Sequence, residues 1–516
     1  MKQMETGRFM MLQASIRSAL ALTVLGAAVS GCTLAPRYER PSAPVDSEFS
    51  TAAPNVGGAG GSGGTPLSGE ASAAGSISAA ASANASDAAV EARLASDIGW
   101  REVFPDPQLQ DLIGRALRNN RDLRMAALNV EAARAQYRIQ RADLVPNIEV
   151  AGESNSQRIP SSISPTGNTY VSRSYAVTAG VTAFELDLFG RVRSLRNTAL
   201  ETYLGLEETR LSTQIALVAE VANAWLTLVA DQELLRLSRE TLESQQRSLE
   251  LTRMRFQSGV ASEVDVHQAE IALHEAEVSI ATYTRQIVQD RNALTLLVGE
   301  PLPVNVGTGD RSINSQVFAQ DLPAGLPAQL LERRPDIRAA EHALKAANAN
   351  IGAARAAFFP RITLTGSYGD ADRELSSLFE GGETTWSFIP RITVPIFSGG
   401  ANAANLDLAH VRKRIEVARY EQTIQVAFRE VSDALVARST LDEQLRAQES
   451  LTEAASNSYR LAEMRYRNGV DSYLTTLVAQ RDLFRAQQAL INTRLARASN
   501  LVLLYKALGG GWTDGS

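Results

Sequence analysis

After Pro146, and again after Pro360, the spacing of apolar residues changes from helical to every second position. Upstream of each proline the chain reads as a helix, Asp122–Leu144 and Asp336–Phe359, each stopped by the proline that follows. Downstream, Ile362, Leu364, Gly366 and Tyr368 alternate with Thr363, Thr365 and Ser367, and Trp386, Phe388, Ile392, Val394 and Ile396 alternate with Ser387, Arg391 and Thr393. The earlier copy has Ile148 and Val150, then Tyr175, Val177, Ala179 and Val181 against Ser174, Thr178 and Thr182. The pattern predicts two β-hairpins, at about 147–183 and 361–397, each with one apolar and one polar face. Strands of about ten residues with one polar face suit a transmembrane barrel with a wet interior, although a small soluble β-layer gives the same alternation. No stretch holds 18 consecutive apolar residues, so a membrane crossing would have to use strands. Four strands cannot close a barrel in lipid, where an open edge is forbidden, so several chains would have to share one.

Between and after the hairpins the sequence predicts very long helices. Residues 401–468 contain no Gly or Pro, and only Gly205 interrupts 191–258. A 65-residue helix is about 100 Å long, and these are too polar to lie in a bilayer, so they would project into water. Met254-Arg255-Phe256-Gln257-Ser258-Gly259-Val260 and Met464-Arg465-Tyr466-Arg467-Asn468-Gly469-Val470 recur at an offset of 210 residues. A run of 39 residues without Gly or Pro follows each, ending in Leu297-Val298-Gly299 and Ala507-Leu508-Gly509. Each motif reads as the turn of an antiparallel helical hairpin, at 191–298 and 401–508, with Gly supplying positive φ. In the last helix Leu477, Phe484, Ile491, Ala498 and Tyr505 recur every seven residues, with Leu474, Leu495 and Val502 beside them, as in a coiled-coil seam. The matched segments predict one unit used twice, 98–300 and 326–512, joined by a linker at 301–325.

Composition adds a compartment. Lys2, Arg8 and Arg17 precede the apolar run Ala19–Val29 and then Ser30-Gly31-Cys32, the single cysteine. Residues 1–31 read as a secretory signal. Cys32 stands where a bacterial lipobox would be cleaved and acylated, and an ordinary signal with a chance cysteine is the alternative. Residues 32–50 read as an anchored, Pro-punctuated extension, and 51–97, mostly Ala, Gly and Ser, as a flexible insert. The net charge of −6, with both signs mixed along the helices, argues against a nucleic-acid partner.

Catalytic chemistry finds no support. The Gly-rich 57–64 lacks the Lys-Ser/Thr of a nucleotide loop. No Gly-x-Ser-x-Gly elbow occurs in a strand–helix context. His267-x-x-Glu270 and His274-x-x-Glu277 repeat at seven residues, which would suit a metal or proton-sensitive site. By the 210 offset they match Leu477 and Phe484, so polar seam residues bonded to neighbouring helices are the plainer expectation. No cofactor or metal is expected.

Several motifs together carry a family resemblance. The Cys32 start, Trp100 with Phe104-Pro105-Asp106-Pro107, Asn119-Asn120-Arg121-Asp122-Leu123-Arg124, Gly469-Val470-Asp471-Ser472-Tyr473-Leu474, Ala479-Gln480-Arg481 and Leu504-Tyr505-Lys506-Ala507-Leu508-Gly509-Gly510-Gly511-Trp512 fall in order. They resemble the TolC/OprM-type outer-membrane factors, lipoprotein (NodT) branch, over about 32–50 and 98–512. The resemblance implies a mixed, mostly α fold: a homotrimeric conduit with a shared twelve-stranded β-barrel, four strands per chain, and a twelve-helix periplasmic α-barrel. It implies a passive outer-membrane duct of a tripartite, RND-type efflux system, partnered by a periplasmic adaptor and an inner-membrane transporter, exporting small toxic molecules. A type I protein-secretion duct and a non-channel periplasmic scaffold are the alternatives. It places Arg255, Phe256, Gly259, Val260, Arg465, Tyr466, Gly469 and Val470 at adaptor-docking tips. The family often has Asp before Ala-Gln-Arg, where this chain has Val478. Glu263, Asp265 and Asp471 are then the candidates for charge at the aperture.

Overall fold

The computed structural model describes residues 33–45, 98–165, 167–303, 306–307, 312–313, 333–380 and 384–510. The signal region, Cys32, the Ala/Gly/Ser-rich stretch and most of the 301–325 linker lie outside them. Within them the elements run α1 (Trp100–Val103), α2 (Pro107–Asn119), α3 (Arg121–Ala142), β1 (Ile148–Ile159), β2 (Tyr170–Leu186), α4 (Arg191–Gln257), α5 (Glu263–Val298), α6 (Pro335–Ala356), β3 (Arg361–Asp372), β4 (Thr384–Thr393), α7 (Ala401–Arg467) and α8 (Tyr473–Ala507). Local chemistry sets the ends. Asp106 caps α2 by accepting from the backbone N–H of Gln108 (2.7 Å) and Leu109 (3.2 Å), with Pro107 in the first turn. Gly299 ends α5 at φ 76°. Gly205 does not interrupt α4. A β-carbon there would stand 3.3 Å from the β-carbon of His342, so glycine serves close packing against α6.

The chain divides into two compact units. Of the described residues, the first comprises 33–43, 127–209 and 336–423 and holds the sheet. Its strands are antiparallel in the order β1-β2-β3-β4, so β2 and β3, far apart in the chain, pair at the centre while β1 and β4 each leave an edge open. The register puts Ile148, Val181, Gly366 and Phe388 in one row across the sheet, and Val150, Ala179, Tyr368 and Trp386 in the next. Both rows lie on one face, and Thr178, Ser367 and Ser387 belong to the other. The apolar face is uncovered in the single chain: Val150, Trp386 and Phe388 are 74%, 73% and 62% exposed. Pro390 sits in an edge strand, where its missing N–H is tolerated. Two strand ends differ from expectation. β4 stops at Thr393 rather than 397, because Pro395 cannot extend the ladder. β2 continues to Leu186 through a bulge between Val181 and Phe184, where Ala183 takes φ 52° and donates its N–H to Thr365 Oγ1 at 3.1 Å.

Strands β2 and β3 approach closely through glycine. A β-carbon on Gly369 would lie 2.0 Å from the Val177 carbonyl oxygen. Gly369→Ala is expected to cost about 1–3 kcal/mol in the unfolding midpoint. Gly152→Ala, with nothing within 4 Å, should leave it unchanged. Equal midpoints for the two variants would contradict this packing.

The second unit takes in the remaining described residues, those within 44–126, 210–335 and 424–510. Its core gathers Trp100, Phe104, Leu112, Trp225, Val502 and Tyr505. Phe104 meets Tyr505 edge-on at 5.8 Å, and the Tyr505 hydroxyl donates to the Ile98 carbonyl at 2.8 Å. Leu477, Ile491, Ala498 and Tyr505 of the expected seam are buried, and Phe484 is half-buried. Leu474 instead is 51% exposed, because Tyr473 takes the inward position in that first turn. One 18-residue stretch of α4 has a mean hydropathy of 1.4, enough by composition to cross a membrane, but 61% of it is buried in the fold, as in a core helix.

Candidate functional site

The two motifs that recur along the chain both form turns in the second unit. Gly259 and Gly469 take φ 71° and 74°. The closing bonds match: Val260 N–H donates to Arg255 O and Val470 N–H to Arg465 O, both at 2.9 Å. These are the 6→1 closures of a helix C-terminus that only a left-handed residue permits without strain.

Beyond the glycine the copies diverge. After Gly259, Ser262 and Asp265 form a reciprocal capping box, with the Ser262 N–H donating to Asp265 Oδ2 at 2.9 Å. After Gly469, Ser472 makes no side-chain cap bond. Asp471 instead accepts two bonds from Arg465, Nε at 2.6 Å and Nη2 at 3.0 Å. Those bonds hold the Asp471 carboxyl below the usual carboxylate range.

Arg255, the counterpart of Arg465, crosses to the other hairpin. It donates to the Tyr466 carbonyl at 3.1 Å and stands 4.5 Å from the Tyr466 ring centroid. The two turns are therefore at one level. Tyr466 is 5% exposed and packs on Tyr473 at 5.5 Å, within a cluster that includes Leu249, Ala269, Ala272 and Leu477. Of the docking candidates, Tyr466 thus serves the interior. Phe256 (44%), Val260 (67%) and Val470 (61%) face outward.

Among the aperture candidates, Asp265 is committed to its cap and Asp471 to Arg465. Glu263 is the outward-facing one, its side chain 77% exposed with Oε1 4.0 Å from His267 Nε2. His267 and His274 correct the expectation of seam residues bonded to neighbouring helices. Both are exposed and bond within α5, through Nδ1 to Glu270 (3.0 Å) and Glu277 (2.9 Å). The buried face of α5 is carried by Ala269, Ala272 and Ala276 instead. Among the described residues no group of three or more His, Cys, Asp or Glu is placed to hold a metal ion.

Two further clusters escaped the sequence reading. Glu341 binds residues of the 33–43 segment, and Asp231 pairs with Asp290 across α4 and α5. Only an acid embedded in Val229-Ala230-Asp231 hinted at the second.

Long helical hairpins and an amphipathic four-stranded sheet with open edges together define a subunit of an outer-membrane channel. The profile described as outer membrane efflux protein matches residues 112–300 and 326–510, and the chain belongs to that family. It is 49% identical over 498 residues, 96% of each chain, to the toluene efflux pump outer membrane protein TtgC of Pseudomonas putida. It is 43% identical over 501 residues, 96% of this chain and 95% of the other, to the outer membrane protein OprJ of Pseudomonas aeruginosa. Among solved structures, the open state of the Neisseria gonorrhoeae MtrE outer membrane channel superposes with a TM-score of 0.78 at 38% identity, over 93% of this chain and 99% of that one. CusC, described in terms of transmembrane channel formation, gives 0.78 at 37% identity, over 93% and 100%. The family is one of channels rather than enzymes.

Proposed function

We propose that the chain is the passive outer-membrane duct of a tripartite efflux system for small apolar toxicants, assembled as a homotrimer with a periplasmic adaptor and an inner-membrane transporter. The carrying observation is the sheet: an uncovered apolar face bounded by two unpaired edges, β1 and β4. Three copies joining β4 to β1 would complete a lipid-facing barrel with a polar interior. The repeats 98–300 and 326–512 would each supply one strand hairpin and one helical hairpin. Cys32 would carry the lipid anchor. The toluene and antibiotic efflux named for the P. putida relatives supports the substrate class. Phe256, Val260 and Val470, shaped by Gly259 and Gly469 and braced by Arg255 and Arg465, would meet the adaptor. Glu263 would place charge at the aperture.

Deleting the gene should raise intracellular solvent and dye accumulation, with wild type restoring export. A Gly259→Val/Gly469→Val variant puts branched side chains at φ near +70° in open space, straining each turn by about 1–3 kcal/mol. Trimer content in the membrane should be unchanged and accumulation should match the deletion strain. Export at wild-type rates through that variant would overturn the docking role.

A further inference from the structure

The apolar face of the sheet carries its charges at one end only. At the end where the helices join, its row is Leu186, Ile362 and Ile392. Arg361, Arg391 and Glu185 stand nearby, but the pleat assigns them to the polar face. Toward the hairpin turns the same apolar face changes character. Among the described residues its charged groups are Asp370 and Asp372 of β3, Arg173 of β2 and Arg158 of β1. The apolar run is long enough to matter. From Ile362 to Asp370 is about 27 Å along the strand, and about 20 Å in height at a strand tilt near 40°. That is close to the apolar band of a transmembrane barrel, so these charges fall at its rim.

The two arginines are neighbours. Across the β1–β2 ladder Arg173 is opposite Ser156 and Arg158 is opposite Val171. They are therefore diagonal partners on one face, about 7–8 Å apart. Both are exposed, and among the described residues neither has an ion pair or a side-chain hydrogen bond. Arg173 stands one row beyond Tyr175, and Arg158 one row further. Asp372 is diagonal to Arg173 on its other side, but its carboxylate serves its own turn by accepting from the Glu374 N–H at 3.0 Å. Asp370 accepts from Thr384 Oγ1 at 3.4 Å, lower on the face.

We propose that Arg158 and Arg173 form a clamp for a phosphate of lipid A, the phosphorylated glycolipid of the outer membrane's surface leaflet. This rests on the barrel reading above. All four strands meet their helices at the same end of the sheet, and the helices lie in the periplasm, so the hairpin turns point to the cell surface. Two guanidinium forks from adjacent strands can close on one phosphate, the geometry arginine favours over lysine. Their stems can lie along the apolar face while the heads reach headgroup level. The other rim decides which lipid. Attraction to any anionic lipid would place cations at both ends of this face, yet the row that meets the phospholipid leaflet is Leu186, Ile362 and Ile392. Only the rim that meets glycolipid is basic. In a trimer the clamp occurs three times around the barrel.

Native mass spectrometry of the full-length protein, extracted from outer membranes and titrated with lipid A, tests this. Arg158→Ala/Arg173→Ala should bind bisphosphorylated lipid A about tenfold more weakly than wild type. Lipid A stripped of its phosphates should bind both proteins alike. Arg158→Lys/Arg173→Lys should recover part of the affinity. Arg391→Ala, which removes the same charge from the polar face of the same sheet, should match wild type. Unchanged affinity in the double alanine variant, or an equal loss in Arg391→Ala, overturns the clamp while a trimer in the same spectra leaves the barrel standing. Phosphatidylglycerol bound as tightly as lipid A, and lost equally in the variant, overturns the assignment to glycolipid. A monomer in the extract overturns the barrel reading and the clamp with it.

Discussion

Removing the Arg40 guanidinium is expected to destabilise the sheet-bearing unit by about 2–3 kcal/mol and to release residues 33–43 to proteases. These residues have no secondary structure of their own and are held by one face of α6. Glu341, Lys345, Asn348, Gly352 and Arg355 recur at helical spacing along that face. Glu341, its side chain 7% exposed, accepts from Arg40 Nε (3.0 Å) and Nη2 (2.8 Å) and from the Tyr38 hydroxyl (3.1 Å), with Lys345 Nζ at 3.3 Å. Asn348 and Arg355 donate to the carbonyls of Pro36 and Leu34. A β-carbon on Gly352 would lie 2.8 Å from the Ala35 nitrogen, so the segment is seated tightly.

Arg40→Ala leaves a buried carboxylate with only Lys345 as counter-charge, which sets the size of the expected loss. The pH dependence has a definite sign. Burial alone would push the Glu341 carboxyl up, but the Arg40 and Lys345 bonds and charges outweigh it and hold it below the usual carboxylate range. The stability it contributes is therefore present above that range and lost as pH falls through the lowered value. Denaturant midpoints of wild type and Arg40→Ala should converge in strong acid. A constant gap down to acid pH would refute the clamp.

The second large effect has the opposite sign. Asp231 of α4 and Asp290 of α5 are hydrogen-bonded to each other, and among the described residues no basic group acts on either. Burial first, and then the Asp231 charge and hydrogen bond, push Asp290 up to about 7; burial also raises Asp231. The folded chain thus holds a proton that the unfolded chain releases, so the stabilisation is fullest in acid and is lost as pH climbs to 7 and beyond. Beside the pair, Gln488 of α8 donates to the Tyr283 hydroxyl at 3.1 Å, so three helices share the site. Wild type should lose about 1 kcal/mol between pH 6 and pH 8, after allowance for solvent screening of a half-exposed pair. Asp290→Asn keeps a donor toward Asp231 without titrating, and its profile should be flat over the same interval. An unchanged slope in the variant would show that the pair does not share a proton.

What was legible in the sequence was whatever the backbone enforces locally. Gly259, Gly299 and Gly469 announce left-handed φ, Pro107 a helix start, and the period-two rows in 148–181 and 362–392 a sheet with unlike faces. Side-chain partnerships across helices were less accessible. Tyr466 looked like a surface residue of a turn but is buried under Arg255. The histidines shared heptad positions with Leu477 and Phe484 by sequence offset, yet α5 turns its alanines inward. Ala269 and Ala272 allow close approach as well as leucines fill space, and the hydrophobic pattern does not separate the two uses. Glu341 was silent because its partners lie about 300 residues earlier in the chain.

The central pairing of the sheet also carries a consequence for the order of folding. Each hairpin, β1–β2 or β3–β4, closes over a short loop, and each helical hairpin closes at its own glycine turn. Ladder β2–β3 instead joins Leu186 to Ile362, with α4, α5 and α6 lying between them in the chain. Closing so long a loop costs conformational entropy before any bond repays it, and contacts of high sequence separation form slowly. The helices should therefore be in place before the two β-hairpins meet. Until then each hairpin has two open edges and an apolar face in water, the state in which such chains aggregate. A chaperone that holds this protein on its way to the outer membrane would do best to bind those hairpins and leave the helices alone.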